Sequence, residues 1–147
     1  DAIVLAAAGL TRLGMQDRIR HTIAPSDMLP AAGQGALGIE VPSHRQDVVQ
    51  ALAPLVHMPS WLRVTAERAV SRTMGGSCSM PLAAYSELDG NVLQLRAALG
   101  DAESEQVQLI QAQVQGEVHT LADAEALGVQ VAQALIAQGA RVATPQA

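Results

Sequence analysis

The chain has 147 residues, a length that corresponds to one compact domain or to a piece of a larger protein. Apolar residues make up 49% of it, but it contains no Phe, one Trp and one Tyr, so the core must consist mainly of Ala, Leu and Val. The net charge is −5 and the basic residues are scattered, which argues against binding to nucleic acid. Aromatic platforms for stacking single-stranded bases are also missing from this composition.

The cysteine and histidine content limits the other classes of site. A single cysteine rules out an intrachain disulfide framework. The four histidines are not spaced three or four residues apart, so we expect no metal site. We also expect no membrane partner and a cytoplasmic location, because there is neither an apolar run of about 20 residues nor a signal-peptide pattern. The chain opens at Asp1 directly into an apolar run, which favours a piece of a longer protein.

The first 57 residues do not have a self-contained pattern. Residues 2–7 are small and apolar, which predicts a buried strand or, on the pattern alone, a buried helix. A helical turn is predicted over 9–14, a second strand over 36–41 and a helix over 44–56. The Gly33-Gln34-Gly35 stretch is predicted to be a loop.

From about residue 58 the pattern predicts a small α+β unit. A helix is predicted to begin with Ser60 as its N-cap and to end at Gly75 and Gly76. Within it, Arg63 and Glu67 stand four residues apart, which favours an exposed ion pair.

Three strands and a last helix follow. The strands are predicted over 81–88, over the alternating residues that follow Asp89-Gly90-Asn91, and over 107–114. The buried face of the middle strand is predicted to consist of Leu93, Leu95, Ala97 and Leu99. The last helix is predicted to end at Gly139 and to bury a stripe of Ala124, Leu127, Val131 and Leu135.

Four segments resemble the porphobilinogen deaminase (hydroxymethylbilane synthase) family in the same order along the chain. They extend from residue 1 to about residue 88, and four motifs in order are specific where one would be weak. Many members of the family place the cysteine directly after a pair of glycines, whereas Ser77 intervenes here. The segments are DAIVLAAAGLTRLG at 1–14, LPAAGQGALGIE at 29–40, TAERA at 65–69, and GGSCSMP followed by LAAY at 75–85.

The resemblance implies an α+β fold with three parts. Residues 1–33 would be the end of domain two and residues 34–57 the returning segment of domain one, both fragments of α/β domains that resemble periplasmic binding proteins. Residues 58–147 would be a C-terminal domain with a three-stranded antiparallel sheet covered by helices. This last domain would anchor the cofactor.

The resemblance also implies a reaction. The family condenses four molecules of porphobilinogen into hydroxymethylbilane and releases ammonia, using a dipyrromethane primer that is linked to a cysteine through a thioether. The catalytic aspartate belongs to the N-terminal half of the family, so no catalytic residue is expected in this chain, and the chain alone should be inactive. The complete enzyme is expected to be a monomer, whereas this chain should self-associate or be disordered before about residue 57.

The predicted cofactor-binding residues are Cys78, Arg12, Gly33 and Gln34. Cys78 corresponds to the cysteine that carries the cofactor, although from its residue type alone a buried structural thiol is the commoner case. Arg12 matches a family arginine that binds substrate side chains, and a guanidinium pairs well with carboxylates; the alternative is an arginine on a helix surface. Gly33 and Gln34 would approach the cofactor, or form only a structural turn.

Some residues are given a structural role. Glu67 and Arg68 are predicted to stabilise the cysteine loop by ion pairing, and Met74 and Met80 to pack around it. A different class of function is also consistent with the residues: a non-enzymatic α+β module that binds a small ligand or a partner, with Cys78 structural.

Overall fold

The computed structural model describes residues 1–76, 80–100 and 109–143. Within these ranges the elements follow one another as helices α1 (Ala7–Arg12), α2 (Gln46–Leu52) and α3 (Met58–Thr73), strands β1 (Leu82–Asp89), β2 (Val92–Gly100) and β3 (Leu109–Glu117), and helix α4 (Leu121–Ala137). Short 3₁₀ turns lie at Gln16–Arg18 and Ala53–Leu55. The predicted order of helix, three strands and helix in the C-terminal unit is therefore confirmed.

The three strands form an antiparallel sheet in the order β1-β2-β3. Asp89 pairs with Val92 across a two-residue turn, in which Gly90 has a φ of +56°. This confirms the predicted hairpin, because glycine adopts that backbone conformation without strain. The predicted buried face of β2 is also confirmed. Strand β3 continues to Glu117, beyond its predicted end, and the start predicted at Val107 lies outside the described residues.

Helices α3 and α4 pack against each other and cover one face of the sheet. The stripe predicted for α4 is buried, as expected. The N-cap of α3 is His57 and not Ser60, because the Nδ1 of His57 accepts a hydrogen bond from the backbone N–H of Ser60 at 3.4 Å. Pro59 suits the first turn that follows, where no N–H donor is needed.

A reciprocal pair of hydrogen bonds fixes the start of α4. The Oγ1 of Thr120 accepts from the N–H of Asp123 at 3.1 Å, and the Oδ2 of Asp123 accepts from the N–H of Thr120 at 2.9 Å. Hydrogen bonds from the N–H of His119 and from Thr120 lower the pKa of Asp123. The carboxylate therefore stays charged at the positive end of the helix dipole, where a negative charge is favourable.

The strands predicted over 2–7 and 36–41 are not formed, and these two predictions are wrong. Neither segment lies beside another strand of the described residues, and a strand without neighbours leaves its backbone groups unpaired. Their apolar side chains are exposed, as Leu37 at 97% shows. The predicted helices of this region do form, over Ala7–Arg12 and Gln46–Leu52, although neither contains a buried residue.

No helix within the described ranges has both the length and the apolar character that crossing a bilayer requires.

The closest approach between α3 and α4 depends on Gly128. A Cβ at this position would collide with the carbonyl oxygen of Ala66 and the Cβ of Ala69. We expect Gly128→Ala to lower the free energy of unfolding by about 1–3 kcal/mol, since inserting a methyl group into a close-packed contact forces the helices apart. Thermal or urea denaturation would measure this change.

A matched control is Gly9→Ala, the same substitution in α1, where nothing lies within 4 Å of the added Cβ. This variant should be at least as stable as the original chain, because alanine favours the helix more than glycine does. Equal stability of the two variants would contradict the close contact at Gly128.

Candidate functional site

The carboxylate of Glu67 lies buried between α3 and the outer edge of β1. Its Oε1 accepts hydrogen bonds from the backbone N–H of Ser86 at 2.9 Å and from the Ser86 Oγ at 2.7 Å. Ser86 is fully buried and Glu67 is 5% exposed. A buried charge is tolerated only where hydrogen bonds replace its lost water, and these two contacts supply part of that replacement.

The second oxygen of Glu67 binds the segment at residues 30–33, which precedes the C-terminal unit in the chain. The N–H of Gly33 donates to its Oε2 at 2.8 Å, and the N–H of Ala84 donates to the carbonyl of Pro30 at 3.1 Å. Ala32, between these two residues, packs against the core of the C-terminal unit. Residues 30–33 are therefore docked on the β1 edge, and we call them the docked segment.

Arg63 completes the cover of this edge. Its Nε donates to the carbonyl of Ser86 at 2.8 Å, and its guanidinium lies 5.6 Å from the centre of the Tyr85 ring. The predicted exposed ion pair between Arg63 and Glu67 is wrong, because both side chains turn to backbone groups of β1. Glu67 was also predicted to stabilise the cysteine loop by ion pairing. Its carboxylate instead accepts hydrogen bonds from Ser86 and Gly33. An edge strand covered in this way cannot recruit another strand.

The loop expected to carry the cofactor lies only partly within the described residues. Cys78 itself lies outside them. Met74, on the near side of the loop, is fully buried, and Met80, on the far side, packs against the core. Both methionines are therefore packing residues, while their predicted contact with the loop lies outside the described residues. Gly75 and Gly76 have φ values of +99° and +51° and end α3, as predicted.

The remaining predicted residues are placed as follows. Arg12 is the last residue of α1 and is exposed. In the described part of the chain, α1 contacts the 3₁₀ turn at Gln16–Arg18 and no other helix or strand. The side chain of Gln34 is exposed, while its N–H donates to the carbonyl of Ala31 at 3.0 Å. The structure thus places Gly33 and Gln34 beside the C-terminal unit and leaves Arg12 apart from it.

A shallow groove lies on the outer face of the sheet. One of its sides is formed by residues that precede the docked segment in the chain. Pro25 and Leu29 face Arg96 and Gln113 across it. The segment before Gly33 therefore follows the outer face of the sheet and then passes its β1 edge. None of the predicted site residues lines this groove.

Sequence reasoning assigned Glu67 to the wrong partners and did not single out Pro30. One signal could have corrected the partners of Glu67. Ala84, Ser86 and Leu88 alternate along β1, so Ser86 falls on the buried face. A buried hydroxyl needs an acceptor, and Glu67 on the neighbouring helix supplies it.

Comparison with known proteins gives two matches to family descriptions. Residues 61–137 match the model described as "Porphobilinogen deaminase, C-terminal domain", which covers more than half of the chain. The chain belongs to the porphobilinogen deaminase family. Residues 1–50 match a second model of the family, described as its "dipyromethane cofactor binding domain". The predicted membership and its dipyrromethane cofactor are thereby confirmed at the level of the family.

Individual members of the porphobilinogen deaminase family agree with these matches. A porphobilinogen deaminase of Albidiferax ferrireducens is 62% identical over 131 residues, which cover 89% of this chain and 41% of that protein. One of Ralstonia nicotianae is 53% identical over 95% of this chain and 41% of its own length. One of Neisseria meningitidis is 49% identical over 96% of this chain and 44% of its own. The chain spans about two fifths of the length of these relatives.

The docking of Gly33 can be tested by Glu67→Gln. The amide oxygen can still accept from Ser86, but the amide nitrogen would then face the N–H of Gly33, two donors that repel each other. We expect a loss of about 1–3 kcal/mol in the free energy of unfolding, the typical cost of a buried unpaired polar group. Hydrogen–deuterium exchange of the Gly33 amide should accelerate more than that of the Ser86 amide.

The control is Glu125→Gln, which breaks the exposed ion pair between Glu125 and Arg72. Exposed pairs of this kind contribute little, about 0–1 kcal/mol. If Glu67→Gln changed stability and exchange no more than this control, the buried carboxylate would not be what docks the segment.

Proposed function

We propose that the complete protein is a transferase that condenses four molecules of porphobilinogen into hydroxymethylbilane and releases ammonia. The observation that carries this proposal is the double family match, to the cofactor-binding part at residues 1–50 and to the C-terminal domain at residues 61–137. The identity of 49–62% to proteins named porphobilinogen deaminase supports it further. Because this chain spans about two fifths of those relatives, the activity is proposed for the complete protein and not for the chain alone.

Within this proposal, Cys78 is the residue that holds the dipyrromethane primer. It is the single cysteine of the chain. The described residues fit a thiol presented outside the core: Gly76 leaves α3 with its N–H donating to the carbonyl of Ser71 at 2.8 Å, and Met80 leads into β1 through a hydrogen bond from the N–H of Leu82. A loop anchored at both ends holds a nucleophile near its target at a small cost in entropy.

The attachment needs only a thiol and a pyrrole that carries an aminomethyl group. A C–S bond would form to the methylene carbon of a first pyrrole as its C–N bond breaks, and the thiol proton would leave with the amine as ammonia. A second aminomethylpyrrole would then bond through its methylene carbon to the free ring carbon of the first, and the proton of that carbon would leave with the second ammonia, which completes the dipyrromethane. When bound, the primer supplies the pyrrole end to which further units are added. The thioether, unlike a disulfide, withstands a reducing cytoplasm, where we place the enzyme.

The other predicted residues have binding roles in the proposal. Arg12 pairs with an acetate or propionate carboxylate of the pyrrole chain, since its guanidinium forms two parallel hydrogen bonds to such a group. Gly33 and Gln34 approach the cofactor from the docked segment, which Glu67 holds against the C-terminal unit.

The proposed division of the chain follows the sequence analysis. Residues 1–33 close domain two and residues 34–57 return to domain one, both resembling periplasmic binding proteins, while residues 58–147 form the cofactor-anchoring domain. The catalytic aspartate belongs to the part of the complete protein outside this chain. We therefore propose that this chain alone is inactive. We also propose that it self-associates or is disordered before about residue 57, whereas the complete enzyme is a monomer.

Replacing Cys78 in the complete protein tests the function. Cys78→Ser should remove the dipyrromethane adduct and lower the production of hydroxymethylbilane below detection, because an alcohol is a far weaker nucleophile than a thiolate. The intact mass and the colour reaction of Ehrlich's reagent with pyrroles measure the adduct. Ser77→Ala, a change at the neighbouring residue, should retain both the adduct and the activity.

An unmodified thiol in the complete wild-type protein, together with unchanged behaviour of Cys78→Ser, would overturn the proposal. That result would instead favour the binding module with a structural cysteine.

Arg12 can be tested by Arg12→Gln in the complete protein. The loss of a charge-assisted hydrogen-bonded pair is expected to raise KM for porphobilinogen by about 10- to 100-fold. Arg18→Gln, in the exposed 3₁₀ turn that follows α1, serves as the matched control and should leave KM nearly unchanged. Equal effects of the two variants would mean that Arg12 contributes only to the net charge.

A further inference from the structure

The residues that follow α4 turn back toward the end of α3. Helix α4 ends at Ala137, and Gly139 adopts a φ of +101° that reverses the chain. The N–H of Ala140 then donates to the carbonyl of Leu135 at 3.1 Å, and Ala140 is buried in the core. Residues 141–143, which we call the return segment, continue from this anchor.

The return segment contacts the residues at which the cysteine loop begins. The N–H of Ala143 donates to the carbonyl of Met74 at 3.0 Å. A Cβ on Gly75 would collide with the carbonyl oxygen of Ala143 and lie 3.0 Å from its carbonyl carbon. Gly75 is therefore required for two reasons: its positive φ and the close passage of the return segment.

The two ends of the cysteine loop are held in different ways. On the far side, Pro81 accepts a hydrogen bond from the N–H of Gly100 at 2.9 Å, so this end is fixed by the sheet. On the near side, the chain leaves α3 through two consecutive glycines, which have the largest backbone freedom of all residues. The return segment is in contact with the first of them.

From this arrangement we infer that the return segment positions the base of the loop that carries Cys78, through the Ala143–Met74 hydrogen bond and its contact with Gly75. It is a positioning element: it touches the backbone before the loop and limits the directions in which the loop can leave the helix. Limiting these directions before reaction lowers the entropy lost when the thiol meets a pyrrole. The inference rests on the proposed function for its purpose, but its structural part can be measured independently.

The test uses Ala143→Pro in the complete protein, prepared both with and without cofactor. Proline removes the N–H that donates to Met74, while Ala143→Gly keeps it and serves as the control. In the cofactor-free protein, we expect amide exchange at Gly75 and Gly76 to become at least threefold faster in Ala143→Pro. The alkylation rate of Cys78 should change by a similar factor, and both should remain unchanged in Ala143→Gly.

Cofactor loading provides the readout that depends on the proposed function. Incubation of cofactor-free Ala143→Pro with porphobilinogen should give the Ehrlich-positive adduct at least threefold more slowly than the control. The melting temperature should stay close to that of the wild type, because Ala140 remains in the core.

A pair of glycine variants separates the contact from the backbone strain. Gly75→Ala and Gly76→Ala both place alanine at a positive φ, but a Cβ at Gly76 meets nothing closer than the carbonyl oxygen of Ser71 at 3.6 Å. Gly75→Ala should therefore accelerate exchange at the neighbouring amides more than Gly76→Ala. The double variant with Ala143→Pro should show less than the sum of the two single effects.

Unchanged exchange and alkylation in Ala143→Pro would overturn the inference, even if the complete protein carries its cofactor on Cys78. Conversely, absence of any adduct on wild-type Cys78 would refute the proposed function, while exchange and alkylation would still decide whether the return segment holds the loop.

Discussion

A single buried carboxylate joins three parts of this chain that are distant in sequence. Glu67 on α3 binds the backbone and hydroxyl of Ser86 on β1 through one oxygen and the backbone of Gly33 through the other. Inside a protein such hydrogen bonds are strong, and each unmade one is costly, so the three groups are held as a unit. The helix, the sheet edge and the docked segment consequently share one position relative to one another.

The consequence for the proposed site is that the docked segment and the helix that leads to the cysteine loop are held together. The docked segment brings Gly33 and Gln34 to the C-terminal unit, and the cysteine loop begins at the end of the helix that carries Glu67. On either side of Glu67, Ala66 and Ala69 of α3 pack against Gly128 of α4. Small side chains at this crossing let the two helix backbones approach closely. The core is therefore filled although the chain has few large aromatic side chains.

The first 57 residues behave differently because most of their large apolar side chains are exposed within the described chain. Ile3, Val4, Leu5, Leu37 and Ile39 are exposed. Among the residues that the structure describes, the docked segment is what ties this region to the C-terminal unit by hydrogen bonds. A strand is stabilised by its neighbours, so a sequence pattern typical of a strand is not sufficient to form one. The relatives are more than twice as long as this chain, and in them the same segment belongs to a larger polypeptide.

The sequence by itself determined the architecture from residue 58 onward, because a hairpin, an alternating strand and a helical stripe are local patterns. Gly90 sets the turn of the hairpin. Leu93 and Leu95 define the buried face of β2, and Val131 and Leu135 define the buried stripe of α4. Motif order along the chain also identified the family. Only the tertiary structure decided the partners of Glu67, the docking of Gly33 and the contact of Ala143 with Met74. These contacts join residues 19 to 69 positions apart through backbone groups, which every residue carries and which therefore leave no mark in the sequence.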